Sequence, residues 1–477
     1  MSVVAQSPTR TGRWPELGLS VLALGIGFSA YVLAYWGLGS DGIPSTLHIL
    51  LPAALVFILA AHLVIRHFAP YADPVLFPSA LALNGIGLAM IYRIGVTTGV
   101  NSVRSQLLLT FVGIVLMVLT VAILRDHRLL RRFTWTSLFA GIFLLLLPLV
   151  PGLGRSMYGA RIWINIAGFS FQPAELAKVL FAIFFAGYLV AERDNLSLAG
   201  PKVLGIRLPK ARHIIPVLLA WAFCMGVLVV EKDFGTALLF FGLFVAMLYV
   251  ATERVSWLII GAILSVAGVA AIATSVPHIQ ARFTVWLHAL DPDVYNAQYG
   301  SYQLVQGMFG MASGGLFGTG LGQGYPTNSF AADSDFIYAS LAEELGLTGV
   351  AAILCIYLII VMRGLRIAAN VRDGFGKLLA AGLSFTIALQ CFVIIGGVTR
   401  LIPLTGLALP FLAHGGSALL TNWIIIGLLL RMSNSMRAPA PKNPLPTLDA
   451  LAKIPEETPV AQPSEQDAKE TEVVLHV

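Results

Sequence analysis

A group of carboxylates stands directly before and inside a strongly apolar run, in the stretch "ADSDFIYASLAEELG" at residues 332–346. Asp335 comes immediately before the run, and Glu343 and Glu344 follow within it. A carboxylate at a poorly solvated interface has a raised pKa, which suits a general base. Ser334 or Asp335 would equally serve as an ordinary N-cap of a transmembrane helix. Residue chemistry alone leaves the catalytic base and the helix cap as open alternatives for Asp335.

A second pair of charges lies in the stretch "FQPAELAKVLF". Glu175 and Lys178 stand three residues apart on one face of a helix that Pro173 can begin at its first turn. Ionisable groups inside a membrane span are costly, so they are candidates for function. A mutually neutralising pair that only fixes helix packing is the alternative. Arg161, shortly upstream, could join Lys178 in presenting positive charge to an anionic headgroup.

Further polar positions lie at the ends of other apolar runs. Asp233 directly precedes an apolar helix, where a helix cap and a binding site fit equally well. Gln303 lies in "YGSYQLVQG", whose aromatic and amide residues suit an interfacial segment. His414 and Ser417 follow Pro410 in a run interrupted by proline and glycine. Broken helices at membrane depth are tolerated where they line a cavity, so Ser417 is a candidate to bind a polar ligand.

The composition predicts an all-α polytopic membrane protein that holds these residues. The 477-residue chain is 57% hydrophobic and 11% charged, whereas soluble domains carry about 25% charged residues. Apolar runs of bilayer length, about 17–25 residues, predict about twelve transmembrane helices. They lie near residues 17–36, 47–65, 76–92, 106–124, 135–151, 173–191, 214–230, 234–251, 256–276, 336–362, 378–399 and 408–430. A large external loop is expected at 277–335.

The basic residues predict the orientation of these helices. Most of the 30 Lys and Arg residues fall in the tails or in the connections 125–134, 192–213 and 363–377. The positive-inside rule therefore places both termini in the cytoplasm and the loops 152–172 and 277–335 outside. The basic excess is thus a topology signal. Membrane lipids are the expected surroundings, and no nucleic acid is expected as a partner.

The chain divides into four expected segments: a cytoplasmic tail at 1–16, two extra transmembrane helices at 17–75, a core at 76–432 and a disordered cytoplasmic tail at 433–477. The three cysteines lie in apolar runs and are expected to be small core residues. The sequence contains no CxxC, HExxH or Walker-type motif. Glycine spacings near 307–324 superficially match GxGxxG, but without a βαβ unit around them they do not indicate a dinucleotide site.

Five segments, in order, resemble the SEDS family (shape, elongation, division and sporulation). They are "GARIWINIAGFSFQPAELAK", "EKDFGTALL", "GSYQLVQGMFGMASGGLFGTGLGQG", "SDFIYASLAEELGLTG" and "IPLTGLALPFLAHGGSALL". The resemblance covers about residues 76–432. The two extra N-terminal helices and the short tail are most similar to the elongation-type members of actinobacteria. The division-type paralogue is the competing assignment.

The resemblance implies a peptidoglycan glycosyltransferase that polymerises lipid II at the outer face of the bacterial cytoplasmic membrane, for cell elongation and rod shape. Undecaprenyl pyrophosphate would leave with inversion at the donor sugar. The implied partners are lipid II and a class B penicillin-binding transpeptidase. A divalent cation, Mg or Mn, would suit the leaving group, but no cluster in the sequence dictates metal ligands. A lipid II flippase or a noncatalytic scaffold is the competing class, although the plain cytoplasmic loops favour a one-sided enzyme.

The family's essential aspartate matches Asp335, which is therefore assigned as the catalytic base. Arg161 and Lys178 match basic positions of the family and are candidates to stabilise the pyrophosphate. The predicted substrate-binding residues are Arg161, Glu175, Lys178, Asp233, Glu344, Gln303 and Ser417. The chain departs from the family pattern at Asp333, where a histidine is usual, and at Lys232, where a proline is usual. Ala413 and Ala418 replace hydroxyl-bearing residues.

Overall fold

The structure, a computed structural model, describes residues 14–157, 160–166, 169–193, 202–203, 206–207, 211–275, 277–298 and 300–439. The helices belong to one compact unit that ends at Arg437. The predicted tails at 1–16 and 433–477 lie largely outside the described residues, so both remain predictions.

Fifteen α-helices are present in the described part of the chain. They are α1 Trp14–Gly37, α2 Leu47–Phe68, α3 Leu76–Thr98, α4 Ser102–Ile123, α5 Thr134–Leu146, α6 Pro173–Ala191, α7 Ala211–Glu231, α8 Phe234–Thr252, α9 Ser256–Ser275, α10 Pro277–Leu287, α11 Pro292–Tyr295, α12 Tyr302–Gly314, α13 Ile337–Asn370, α14 Gly374–Val398 and α15 Gly416–Arg437. Short 3-10 helices lie at His127–Phe133, Leu147–Leu149 and Pro326–Asn328.

Within the described residues, two small antiparallel sheets lie between helices. The first joins β1 Gly154–Met157, β2 Ala160–Ile166 and β3 Phe169–Phe171 between α5 and α6. Its register pairs Gly154 with Ile164, and Ile164 with Phe171. The second sheet joins β4 Lys202–Val203 to β5 Ile206–Arg207 between α6 and α7.

The chain is a multi-pass membrane protein, as predicted. In the described residues, ten helical segments are long and apolar enough to cross a membrane. Two shorter apolar stretches, Leu218–Glu231 and Ser256–Ala270, lie within α7 and α9. All twelve predicted apolar runs therefore contain helix, but the number of membrane crossings stays a prediction.

Three helices form the centre of the bundle. The apolar windows of α6, α14 and α15 are 78%, 72% and 78% buried inside the protein, whereas that of α2 is only 22% buried. Small residues allow close approach in this centre: Gly364 of α13 lies against Ser384 of α14, and Gly187 of α6 against Thr134 of α5. Close backbone approach through small residues is a common way to pack helices in membranes. The central helices thus form a fixed frame for the polar residues between them.

Two predicted helices differ from the structure. The run 336–362 was expected to form one helix, but α13 extends to Asn370 and is broken at Gly346, where φ is 68° and ψ is −176°. The run 408–430 becomes helical only at Gly416. The backbone before Gly416 is irregular, with Pro410 inside the predicted run and Pro403 ahead of it. That irregular backbone agrees with the expected interruption by proline and glycine.

Candidate functional site

The backbone between α14 and α15, residues 399–415, is not helical although it lies among the helices; we call it the α14–α15 segment. Side chains from five helices donate hydrogen bonds to its carbonyls. Arg282 binds Leu404 and Thr405, Gln390 binds Ala408, Tyr357 binds Pro410, Asn84 binds Phe411 and Gln106 binds Ala413. Irregular backbone at membrane depth is stable when protein groups satisfy it. These bonds therefore fix the segment in one conformation.

Asp335 lies opposite this segment, just before α13. The side chain is half-buried, and within the described residues its carboxylate makes no hydrogen bond. On the segment, a Cβ added at Gly406 would stand 3.8 Å from Asp335 Oδ2. Burial raises the pKa of Asp335 to about 6, while the charge of Arg282 lowers it and that of Asp333 raises it. An unpaired carboxylate with such a pKa suits a general base.

The predicted alternative for this position, a helix cap, is not what the structure has. The residue before α13 is Phe336, and in the described part of the chain no side chain caps that helix start. Ser334 Oγ instead donates a long hydrogen bond to the carbonyl of Ala331, at 3.4 Å. The carboxylate of Asp335 is therefore free for another role.

Arg282 on α10 supplies the positive charge that lowers the pKa of this carboxylate. Its guanidinium donates to the carbonyls of Leu404 and Thr405 at 3.1 and 3.2 Å. Burial lowers the pKa of Arg282, and the charges of Asp233 and Asp335 both raise it. Arg282 belongs to no motif recognised in the sequence and is not among the predicted site residues. Its signal was weak: a basic residue in the predicted external loop 277–335.

Asp233 caps α8 and also lies near Arg282. Its Oδ1 accepts a hydrogen bond from Thr236 N at 3.0 Å, and its Oδ2 accepts one from Thr236 Oγ1 at 2.7 Å. Burial raises the pKa of Asp233, both hydrogen bonds from Thr236 lower it, Glu175 raises it and Arg282 lowers it. Asp233 is therefore a helix cap that also feels the charge of Arg282, and its binding of substrate stays a prediction.

Glu175 and Lys178 on α6 form a buried ion pair, and the charge of Glu175 acts on Asp233. Lys178 Nζ donates to Glu175 Oε2 at 2.6 Å and to Gln390 Oε1 at 3.0 Å. Gln390 Nε2 in turn donates to the carbonyl of Ala408 at 2.9 Å. Glu175 and Lys178 are buried to 5% and 2% exposure. This geometry fits the mutually neutralising alternative and links the pair to the α14–α15 segment.

The other predicted residues lie in different surroundings. Ser417 Oγ accepts a hydrogen bond from Gln172 N at 2.7 Å, so it ties α15 to the start of α6. Gln303 Nε2 donates to the carbonyl of Phe330 at 2.6 Å. Arg161 lies on β2, exposed. In the described residues, no hydrogen bond or ion pair joins these side chains to Asp335, and their binding of substrate stays a prediction.

Glu344 takes part in a buried ion pair. Arg93 Nε of α3 donates to Glu344 Oε1 at 2.6 Å, and Gly322 N donates to Glu344 Oε2 at 2.9 Å. Both carboxylate oxygens therefore already have partners. This structural role does not favour the predicted binding of substrate by Glu344.

Asp333, the departure from the family pattern, contacts the α14–α15 segment. Its carbonyl accepts a hydrogen bond from His414 N at 2.8 Å, and its Oδ2 lies 3.7 Å from His414 Nδ1. A histidine is thus present beside this position, supplied by the segment.

The described residues contain no group of three or more His, Cys, Asp or Glu side chains that could hold a metal ion. Asp333 acts on the charge of Asp335, and Asp233 acts on that of Arg282, so the acids of this group already share the cation of Arg282. These donors do not fit a protein-held Mg or Mn ion. The divalent cation stays a prediction.

Residues 74–438 match the family model FtsW/RodA/SpoVE, described as cell cycle protein. The chain therefore belongs to this family of polytopic membrane proteins, which is the SEDS family that its motifs resemble. The chain is 43% identical over 463 residues to the peptidoglycan glycosyltransferase RodA of Mycobacterium tuberculosis, an alignment that covers 95% of this chain and 97% of that protein. The predicted similarity to an actinobacterial, elongation-type member is confirmed.

Two solved structures share the fold. One is a chain from a study of the structural coordination of polymerization and crosslinking by a peptidoglycan synthase complex, with a TM-score of 0.61 and 23% identity over 76% of this chain and 97% of that chain. The other is the rod shape determining protein RodA of Thermus thermophilus, with a TM-score of 0.52 and 23% identity over 77% and 98%.

Proposed function

We propose that this protein is a peptidoglycan glycosyltransferase that polymerises lipid II into glycan strands at the outer face of the cytoplasmic membrane. The relative from Mycobacterium tuberculosis carries the name of that activity. The structural observation that carries the proposal is the carboxylate of Asp335. It is half-buried, has a pKa of about 6 and makes no hydrogen bond in the described residues. Side chains with such perturbed pKa values are concentrated at functional sites.

In the proposed reaction, a sugar hydroxyl of the acceptor attacks the anomeric carbon of the donor. The hydroxyl proton passes to Asp335, and a new C–O bond forms as the bond from the anomeric carbon to pyrophosphate breaks. The electron pair of that bond leaves with undecaprenyl pyrophosphate, and the configuration inverts. A positioned general base contributes about 10²–10⁴ in rate. Asp335 can do this only in its deprotonated form.

The leaving pyrophosphate needs positive charge, and Arg282 is the best-placed residue for that task. Preorganised cations stabilise charge that develops in a transition state. Lys178, one of the predicted residues, already neutralises Glu175 at 2.6 Å and is buried. Arg161 is exposed on β2 and suits an approaching lipid headgroup better than the reacting atoms. We therefore place Arg282 beside the leaving group.

The orientation and partner belong to the same proposal. The positive-inside pattern supports cytoplasmic termini and an external site at Asp335 and Arg282. The fold shared with a chain of a peptidoglycan synthase complex supports pairing with a class B penicillin-binding transpeptidase. The elongation role is favoured over division because the actinobacterial relative is named RodA.

Asp335→Asn tests the proposal with Asp293→Asn as the matched control. Asp293 is an exposed acid in the same external loop. Both variants and the wild type are purified in detergent and incubated with lipid II, and the products are separated on gels. We expect polymer from the wild type and Asp293→Asn, and none from Asp335→Asn. Polymer from Asp335→Asn at the wild-type rate contradicts the assignment of the base.

The same proteins test the flippase alternative. Reconstituted into vesicles with fluorescent lipid II, a transporter would move the lipid across the bilayer without forming polymer. If the wild-type protein moves lipid II across the bilayer and makes no glycan, the result supports the flippase function and contradicts the glycosyltransferase function.

A further inference from the structure

The first helix of the chain ends against a loop of the core. At Gly37, the last residue of α1, an added Cβ would stand 1.9 Å from the carbonyl oxygen of Leu321 and 2.9 Å from Gly322 Cα. Gln323 Nε2 donates a hydrogen bond to the Gly37 carbonyl at 2.8 Å. We call residues 315–325 the glycine loop. The end of α1 thus touches the glycine loop backbone to backbone, with no room for a side chain.

The helix that makes this contact lies outside the common family core. The family model begins at residue 74, after α1 and α2, whereas the match to the mycobacterial relative covers 95% of this chain. The position of α1 is nevertheless fixed, because Gly27 crosses Gly85 of α3 so closely that a Cβ at Gly27 would meet Gly85 Cα at 2.9 Å. An added helix is therefore packed firmly on the first helix of the core.

The glycine loop is bonded to α13 just before the break at Gly346. Tyr325 N donates to Glu343 Oε1 at 2.6 Å, and Gly322 N donates to Glu344 Oε2 at 2.9 Å. Backbone bonds join the same two parts, from Thr319 N to the Glu343 carbonyl and from Gly320 N to the Glu344 carbonyl, both at 3.0 Å. The loop is therefore bonded to α13 through both side chains and backbone.

The part of α13 that the loop holds is short and carries Asp335 at its entrance. The break at Gly346 separates residues 337–345 from the remainder of α13. This short helical piece begins two residues after Asp335 and ends at the loop. After the break, Leu347 N and Thr348 N donate to carbonyls of the glycine loop, both at 3.0 Å. The contacts of the loop therefore contribute to the direction of this short piece, together with Arg93 of α3 and the packing of α12.

We propose that α1 positions the catalytic base. Gly37 supports the glycine loop, the glycine loop orients residues 337–345, and this piece sets the place of Asp335 opposite Gly406. Gly37 and Gln323 are positioning residues, because neither touches the reacting groups. The proposal rests on the function proposed above, in which Asp335 takes the proton of the acceptor hydroxyl.

Gly37→Ala tests this role with Gly25→Ala as the matched control. Both substitutions add one methyl group to α1, but a Cβ at Gly25 has no atom within 4 Å. Gln323→Ala is the second variant, because it removes the hydrogen bond to Gly37 without adding atoms. Each full-length protein is measured in two ways: hydrogen exchange of the glycine loop by mass spectrometry, and kcat and KM for glycan formation from lipid II.

We expect faster exchange across residues 315–325 in Gly37→Ala and Gln323→Ala, and wild-type exchange in Gly25→Ala. Small misplacement of a reacting group can cost about 100-fold in rate, so we expect kcat to fall by about tenfold or more while KM changes by less than about twofold. A simple loss of folded protein would lower the active fraction without changing loop exchange in the folded remainder.

Two results overturn the inference. If the glycine loop exchanges hydrogen at the same rate in Gly37→Ala as in Gly25→Ala, α1 does not support the loop. Faster exchange with an unchanged kcat shows that the loop does not position the base. If Gly37→Ala cannot be purified, Gln323→Ala decides by the same criteria. If even the wild type makes no glycan, the proposed function fails, whereas the exchange measurement still judges the contact between α1 and the loop.

Discussion

Gly406 faces Asp335 across the candidate site, so that a Cβ at the glycine would stand 3.8 Å from Asp335 Oδ2. The φ of Gly406 is +72°, in the left-handed region that favours glycine. The α14–α15 segment around Gly406 is fixed by side-chain hydrogen bonds from Arg282, Gln390 and their neighbours. The base therefore faces a backbone held in place by hydrogen bonds, at a residue without a side chain that could cover the carboxylate.

The titration of Asp335 predicts how activity depends on pH. We expect kcat/KM to rise as pH increases through about 6, because only the deprotonated carboxylate accepts a proton. Arg282→Gln removes a charge that lowers the pKa of Asp335, so the midpoint should move to higher pH. Arg104→Gln, a change at an exposed arginine of α4, should leave the midpoint in place. An unchanged midpoint in Arg282→Gln would contradict the charge coupling.

The same pKa predicts an effect on stability. The folded-state pKa of about 6 lies above the ordinary value of 3.8, so the carboxylate destabilises the folded protein as pH rises through that interval. Asp335→Asn removes this cost. We expect it to be more stable than the wild type at pH 8 by about 1 kcal/mol after allowance for solvent screening, and similar to it at pH 4. Thermal unfolding in detergent at both pH values measures the difference, and a less stable variant at pH 8 would refute it.

The break in α13 predicts a strict requirement for glycine at position 346. Its φ of 68° and ψ of −176° fall in a region that is essentially reserved for glycine. A Cβ there would also meet Gly318 N at 2.2 Å. The backbone strain alone should therefore destabilise Gly346→Ala by about 1–3 kcal/mol, and the contact with Gly318 should add to this loss. Gly268→Ala, where a Cβ has no atom within 4 Å, is the control. Equal melting temperatures of the two variants would show that the break can relax.

The helical architecture was predictable because its signals are local. Apolar runs of bilayer length predicted the long helices, and Pro403, Pro410 and the glycines predicted the irregular α14–α15 segment. The break at Gly346 was not predicted, because the same glycine fits a continuous helix. Only the contact with Gly318 and its neighbours in the glycine loop requires the unusual backbone there.

The candidate site was predictable only for the residues that a local motif identifies. Motifs identified Asp335, Asp233, Glu175 and Lys178, and the structure brings these residues to the neighbourhood of the α14–α15 segment. The importance of Arg282 depends on the hydrogen bonds of α10 with residues far along the chain, which no local pattern contains. The pairing of Glu344 with Arg93 likewise joins positions 251 residues apart. Tertiary packing therefore decided which acids are available and which are already paired.

The buried pair on α6 predicts an unequal response to single and double substitutions. Removing one partner of a buried ion pair leaves an uncompensated charge and costs about 3–5 kcal/mol, whereas replacing both is often close to neutral. We expect Glu175→Gln and Lys178→Met each to destabilise the protein strongly, and the double variant to be more stable than either single variant. The exposed pair Arg193–Glu253, at 3.5 Å, is the control, because its side chains are 59% and 80% exposed. Its disruption should cost less than about 1 kcal/mol. Thermal unfolding of each set of variants, analysed as a double-mutant cycle, measures the coupling free energy between the two charges.

Additive losses of stability in Glu175→Gln and Lys178→Met would show that the two charges do not depend on each other.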